Sequence, residues 1–181
     1  MDATIVPAAS RKPDIAEGKT ARVAKEPGAS FTRKGGRSYF GYRLHVGADE
    51  GSLLIRQLAW TPAHVNESLV AEALISGDEK AVYADKGYES KHRRQRLRQA
   101  GVKDRICHRA HKHLKELSRW LTVRNGLIAK RRAPVESVFG TMKRGFGYVR
   151  ARYCNFAANV ADAFRFATVF NLRRAASLAA A

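Results

Sequence analysis

Acidic residues are the scarce charges in this chain: 16 Asp and Glu stand against 34 Lys and Arg, leaving a net charge of +18. Such a field repels cationic partners and favours polyanions, with nucleic acid first among them. Cysteine is nearly absent, and Cys107 and Cys154 are too few and too far apart in sequence for a disulfide framework; they fit a reducing cytosol. With only 5 prolines and 45% hydrophobic residues, the 181-residue chain is not a low-complexity or disordered tail. No apolar run approaches the length of a membrane span, and Asp2 stands where a signal peptide would carry a base. These absences point to a cytoplasmic protein without membrane contact. They also point to one domain over residues 1–174, with residues 175–181 as a tail.

The bases that are present are unevenly placed. Between Lys86 and Arg152 there are twenty Lys and Arg but four acids, Glu89, Asp104, Glu116 and Glu136. A surface serving only solvation normally intersperses the two signs, so this stretch reads as a nucleic-acid surface. Solvated helix faces are the plainer alternative.

Periodicity outlines an α/β chain. Residues 7–37 hold three prolines, four glycines and little apolar periodicity, which reads as a long loop, either functional or mobile. Phe40, Tyr42, Leu44 and Val46 alternate with smaller or polar residues, and Leu53 to Trp60 follows the turn Gly47–Gly51, so the pair reads as an antiparallel hairpin. Leu69, Val70, Ala73 and Leu74 recur at helical spacing, with Gly77-Asp78 as the stop. Ala81–Ala84 reads as a short buried strand ending on Asp85. Ser90 is placed to cap a basic helix from Lys91 to Gln99, with Gly101 past its end, and Val102 to His108 reads as another strand. The remainder is largely helical, the last helix burying Phe164, Ala167 and Phe170 and ending at Arg173-Arg174. Trp60 and Trp120 read as core or helix-packing residues.

Three acids fall on different elements: Asp2 beside the β-prone Thr4-Ile5-Val6, Asp85 at a strand end, and Glu136 just after Pro134. Converging carboxylates can hold Mg²⁺, which prefers oxygen ligands, and paired ions can drive in-line displacement at a phosphodiester. Surface acids or helix caps are the alternative. Arg132, Glu136, Gly140 and Lys143 share one face of an ideal helix, which would let a phosphate backbone approach. Cys107, His108, His111 and His113 suggest zinc only weakly, because no second cysteine pair stands at ligand spacing. Lys86-Gly87-Tyr88 lacks the glycines of a phosphate loop; Tyr88 reads either as a DNA contact or as core.

Asp2-Ala3-Thr4, Gly41-Tyr42-Arg43-Leu44-His45, the run Tyr83-Ala84-Asp85-Lys86-Gly87-Tyr88, and Arg132-x₃-Glu136-x₆-Lys143 together resemble the DDE transposases of bacterial insertion sequences. The resemblance runs over essentially the whole chain. It implies a ribonuclease-H-like fold, a mixed five-stranded sheet flanked by helices. It also implies Asp2, Asp85 and Glu136 as catalytic ligands of two Mg²⁺ or Mn²⁺ ions. Arg132, Lys143, Arg144, Lys86 and Tyr88 become the expected contacts to double-stranded DNA, with a homodimer on paired ends and association with the nucleoid. The implied activity is strand cleavage at element ends followed by 3′-hydroxyl transfer. Two positions depart from the family pattern: Ala129 replaces an aromatic, and Asn66-Glu67-Ser68 replaces Asn-Asp-Ser. Asp2 directly follows Met1, so the first strand is expected to be truncated and the chain to be a carboxyl-terminal catalytic part. An inactive remnant that only binds DNA is the alternative.

Overall fold

The computed structural model describes residues 1–10, 26–110 and 116–180. Residues 11–25 of the expected loop, His111 and His113 of the weak zinc motif, and Ala181 lie outside the described residues.

Strand β3 (Arg37–Ala48) organises the first half of the molecule. Its residues 41–46 pair antiparallel with β1 (Asp2–Pro7), and its residues 42–48 pair with β4 (Ile55–Pro62), so β1 and β4 lie on opposite edges. The first part of β3 pairs with β2 (Ser30–Lys34), a strand inside the segment read above as loop. That reading failed because both faces of β2 are largely exposed, so no apolar alternation marks it. At Gly41 the partner changes from β2 to β1, and an added Cβ there would lie 2.3 Å from the Val6 carbonyl oxygen. Only glycine allows the backbones to pass so closely.

After β4 come helix α1 (Glu67–Val70), prolonged by a 3₁₀ turn Ala71–Leu74, and strand β5 (Ala81–Ala84). The helix is shorter than expected, with Leu69 and Ala73 exposed, so the periodic apolar positions do not form one buried stripe. Then follow a 3₁₀ turn Lys86–Tyr88, helix α2 (Lys91–Gln99) and strand β6 (Lys103–Ile106), which pairs parallel with β5. Ser90 accepts a hydrogen bond from the Arg93 N–H, and Gly101 takes φ +69°, the expected cap and stop of α2. Helices α3 (Arg119–Arg132), α4 (Val135–Gly140) and α5 (Phe156–Ala179) complete the chain. Helix α5 continues past Arg173-Arg174 to Ala179, so most of the expected tail is helical. It buries Ala163, Phe166, Ala167 and Phe170, whereas Phe164 points outward. Trp60 is core as expected; Trp120 on α3 is 69% exposed.

The fold is therefore mixed α/β, but among the described residues its strands form a four-stranded and a two-stranded sheet rather than a single five-stranded one. The two sheets meet where the Met1 nitrogen donates to the Tyr83 carbonyl at 2.6 Å. Beyond that point β1 turns to β3 and β5 to β6, so no ladder spans the seam. Two cores flank it. One packs Val6, Tyr42, Leu44 and Val46 against α4 and α5; the other joins Met1, Leu74, Val82, Tyr88, Leu97 and Ile106. No helix among the described residues is long and apolar enough to cross a membrane.

Candidate active site

The seam between the sheets is where the sequence-selected acids come together. Asp2 opens β1, and its Oδ1 accepts the Ala3 N–H at 2.9 Å. Asp85 follows β5 and caps the next turn, accepting the Lys86 N–H at 2.7 Å. Glu136 lies in the first turn of α4, where a carboxylate complements the helix dipole, and its side chain is 62% exposed.

Arg132, the last residue of α3, joins them. Its Nη1 stands 2.8 Å from Asp2 Oδ2 in an ion pair, and its Nη2 donates to Glu136 Oε1 at 3.3 Å. Burial works to lower the Arg132 pKa, but the charges of Asp2, Asp85 and Glu136 outweigh it and raise the value. For Asp2 the balance is reversed: burial raises its pKa although Arg132 opposes the shift. Two acids, Asp2 and Glu136, thus pair directly with one guanidinium, and Asp85 lies within range of its charge.

Lys143 also reaches the site, by another route than ideal helical spacing. The helix breaks at Ala133-Pro134 between α3 and α4, and Thr141–Gly145 forms a π-helical turn, so no continuous face carries Arg132 to Lys143. Instead Lys143 Nζ donates to Thr4 Oγ1 at 3.0 Å, two residues from Asp2 on the same side of β1. Burial and the neighbouring charge of Lys34 lower its pKa. Lys86 and Arg144 are exposed beside these elements. Tyr88 is not: its ring is fully buried in the second core, so stacking on DNA is closed to it. Its hydroxyl has no partner among the described residues and lies within the charges of Glu67, Asp2, Arg43 and Arg132.

Sequence reasoning missed Glu67 as a member of this group. Half-buried at the start of α1, it pairs with Arg43 of β3 at 3.3 Å, and its Oε2 lies 2.6 Å from where a Cβ on Gly87 would be. Burial raises its pKa, and Asp2 and Asp85 push it further up against the pull of Arg43. The only linear signal was Asn66-Glu67-Ser68, where Asn66 caps α1 through the Ser68 N–H.

As these side chains stand, no three Asp, Glu, His or Cys among the described residues are close enough to hold a metal ion. Cys107 and His108 of the weak zinc motif are occupied elsewhere, by the Asn125 carbonyl and by Glu89. The acids near Arg132 match a hard divalent cation in chemistry and charge: every donor is a carboxylate oxygen, and two of them already share one cation.

The family model for the transposase DDE domain matches residues 1–172. The chain is 34% identical over 188 aligned residues, 98% of its own length, to the transposase for insertion sequence element IS1106 of Neisseria meningitidis serogroup B. It spans about 64% of the length of that curated relative. No solved structure matches it significantly. With four sequence blocks meeting at one seam and a family match over nearly the whole chain, the chain belongs to the transposase DDE-domain family.

Proposed function

We propose that the chain is the catalytic part of an insertion-sequence transposase, in which Asp2, Asp85 and Glu136 form a metal-dependent centre. That centre cleaves one DNA strand at an element end and transfers the freed 3′-hydroxyl to target DNA. The observation that carries this reading is the pairing of Asp2 and Glu136 with the guanidinium of Arg132, whose charge also acts on Asp85. The strand order supports a ribonuclease-H-like arrangement: β4, β3 and β1 are antiparallel neighbours, β1 touches β5 through Met1, and β5 pairs parallel with β6. In that arrangement β2 is an additional strand.

The family generally uses divalent metal ions. Asp2, Asp85 and Glu136 would hold them, and when bound such ions supply the positive charge that activates an attacking hydroxyl and stabilises the leaving oxygen. The chain's own groups do the rest. Arg132 counters the mutual repulsion of the carboxylates and opposes the protonation of Asp2 that burial favours. Lys143, held beside Asp2 by Thr4, and the exposed Lys86 and Arg144 supply cations for the phosphates on either side of the scissile bond. Two copies of the chain would act on paired element ends.

The test is incubation of the chain with end-labelled duplex from the ends of its element. Strand breaks that need Mg²⁺ and vanish with chelator are the expected result. Duplex binding with no cleavage at any Mg²⁺ or Mn²⁺ concentration would favour the binding-only alternative.

A further inference from the structure

The β2–β3 ribbon is the strongest unassigned feature of the surface. From Pro27 to Ala48 there is no acid, and the ribbon tip carries Arg33, Lys34 and Arg37 around Gly35-Gly36. Lys34 and Arg37 are directly opposite in the register, so the loop is two residues long. Both loop glycines have positive φ, +56° and +76°, the type I′ geometry that matches strand twist and gives a stiff hairpin. The base of the ribbon is anchored: the Phe31 and Phe40 rings are 4.9 Å apart, and Ser30 Oγ accepts the His64 N–H at 2.9 Å.

The tip is electrostatically unfavourable as it stands. Like charges directly opposite one another destabilise a ladder, and here Lys34 faces Arg37. All three cations are exposed, and none makes a side-chain hydrogen bond or ion pair with another described residue. Every other part of the ribbon continues into β3, whose far half carries Arg43 and borders Asp2. Lys34 is near enough to the site for its charge to act on both Lys143 and Glu67.

We infer that the β2–β3 ribbon is a DNA-gripping arm, its tip cations Arg33, Lys34 and Arg37 entering a groove of double-stranded DNA next to the acidic seam. A two-stranded ribbon is of a size the major groove admits. A polyanion also removes the Lys34–Arg37 repulsion, which nothing else among the described residues does. The inference rests on the transposase reading for the presence of DNA, but not on the metal chemistry.

The experiment uses the full chain and a fluorescein-labelled duplex of random sequence, titrated over a range of salt concentrations. The variant replaces Arg33, Lys34 and Arg37 with Ala; a charge-matched control replaces Arg98, Lys103 and Arg105, exposed on or beside α2 and β6. Loss of three phosphate contacts should lower the slope of log affinity against log salt by about 2 to 3. At moderate salt the ribbon variant should bind at least ~10-fold more weakly, with the control affected less than ~3-fold. Unfolding midpoints of both variants serve as the check on folding. Wild-type binding with an unchanged ribbon variant, or equal losses in the two variants, overturns the arm and leaves the transposase reading intact. A folded wild-type chain that binds no duplex overturns both.

Discussion

Two basic segments of this molecule use their arginines in opposite ways. Helix α2 has the sequence KHRRQRLRQ, the densest run of positive charge in the chain, yet its inward arginines are structural. Arg93 is buried and bonds to Glu72 and to the carbonyls of Ser68 and Tyr88; Arg94 reaches Asp104, Glu89 and the carbonyls of Ile106 and Cys107; Arg96 pairs with Glu72. From α3, Arg124 likewise donates to the Asp104 and Ile106 carbonyls. The β2–β3 ribbon has only three cations at its tip, all exposed and none paired with another described residue. Charge density in the sequence therefore does not by itself tell which cations are free to meet a polyanion. What distinguishes the two segments is whether the cations face backbone carbonyls or solvent.

The largest break in this comparison is expected from Arg93→Ala. Removing a buried guanidinium strands two carbonyls, leaves Glu72 to Arg96 alone and should cost about 3 kcal/mol, seen as a lower urea midpoint, while the salt slope of DNA binding by the folded fraction stays unchanged. A fall in that slope would mean that α2 also contacts phosphate.

Acid should reveal the cost of an unpaired charge inside the same sheet. His45, buried on β3, bonds to Thr61 through Nε2, and its Nδ1 has no partner among the described residues. Burial, reinforced by Arg43, lowers its pKa from 6.5 to about 4. The unfolded chain therefore takes up this proton first, so stability is complete above pH 6.5 and falls as the pH drops toward 4. The slope is about 1.4 kcal/mol per pH unit for one proton. Comparing urea titrations of the wild type and His45→Gln across that window should show a difference of one proton; equal slopes would contradict a buried neutral His45.

Smaller effects are expected on the surface. The ribbon variant should change stability by no more than ~0.5 kcal/mol, since its side chains have no partners to lose. Asp78→Ala removes a two-bond ion pair with Arg56, at 2.8 and 2.7 Å, but both groups face solvent and no resolvable shift in the unfolding midpoint is expected.

How much of this was legible depended on whether a feature was local. The alternation in β3, the apolar run of β5, and the Ser90 and Gly101 signals of α2 are written in adjacent residues, and each element formed there. Asp85 was legible at its strand end for the same reason. Strand β2 was not, although Gly35-Gly36 is a hairpin signature, because neither of its faces is apolar. The nearness of Glu67 to Asp2 and Asp85 arises from packing α1 against the seam, and Asn66-Glu67-Ser68 marks the position without showing where it packs. Arg132 and Glu136 meet as their spacing indicates, but a helix break and a π-helical turn deliver Lys143 through Thr4 instead of along one face. The expected single sheet failed on a long-range detail, the lack of a ladder between β1 and β5.

The central claim is that the acids gathered around Arg132 hold the catalytic cation. Mn²⁺ binding, followed by electron paramagnetic resonance on the full chain with duplex DNA present, tests it most directly when the wild type is compared with Asp85→Asn. The wild type should retain Mn²⁺, and the variant, still folded and still bound to DNA, should bind it at least ~10-fold more weakly. Equal Mn²⁺ affinity in the two proteins, or no retention by the wild type, would contradict that claim.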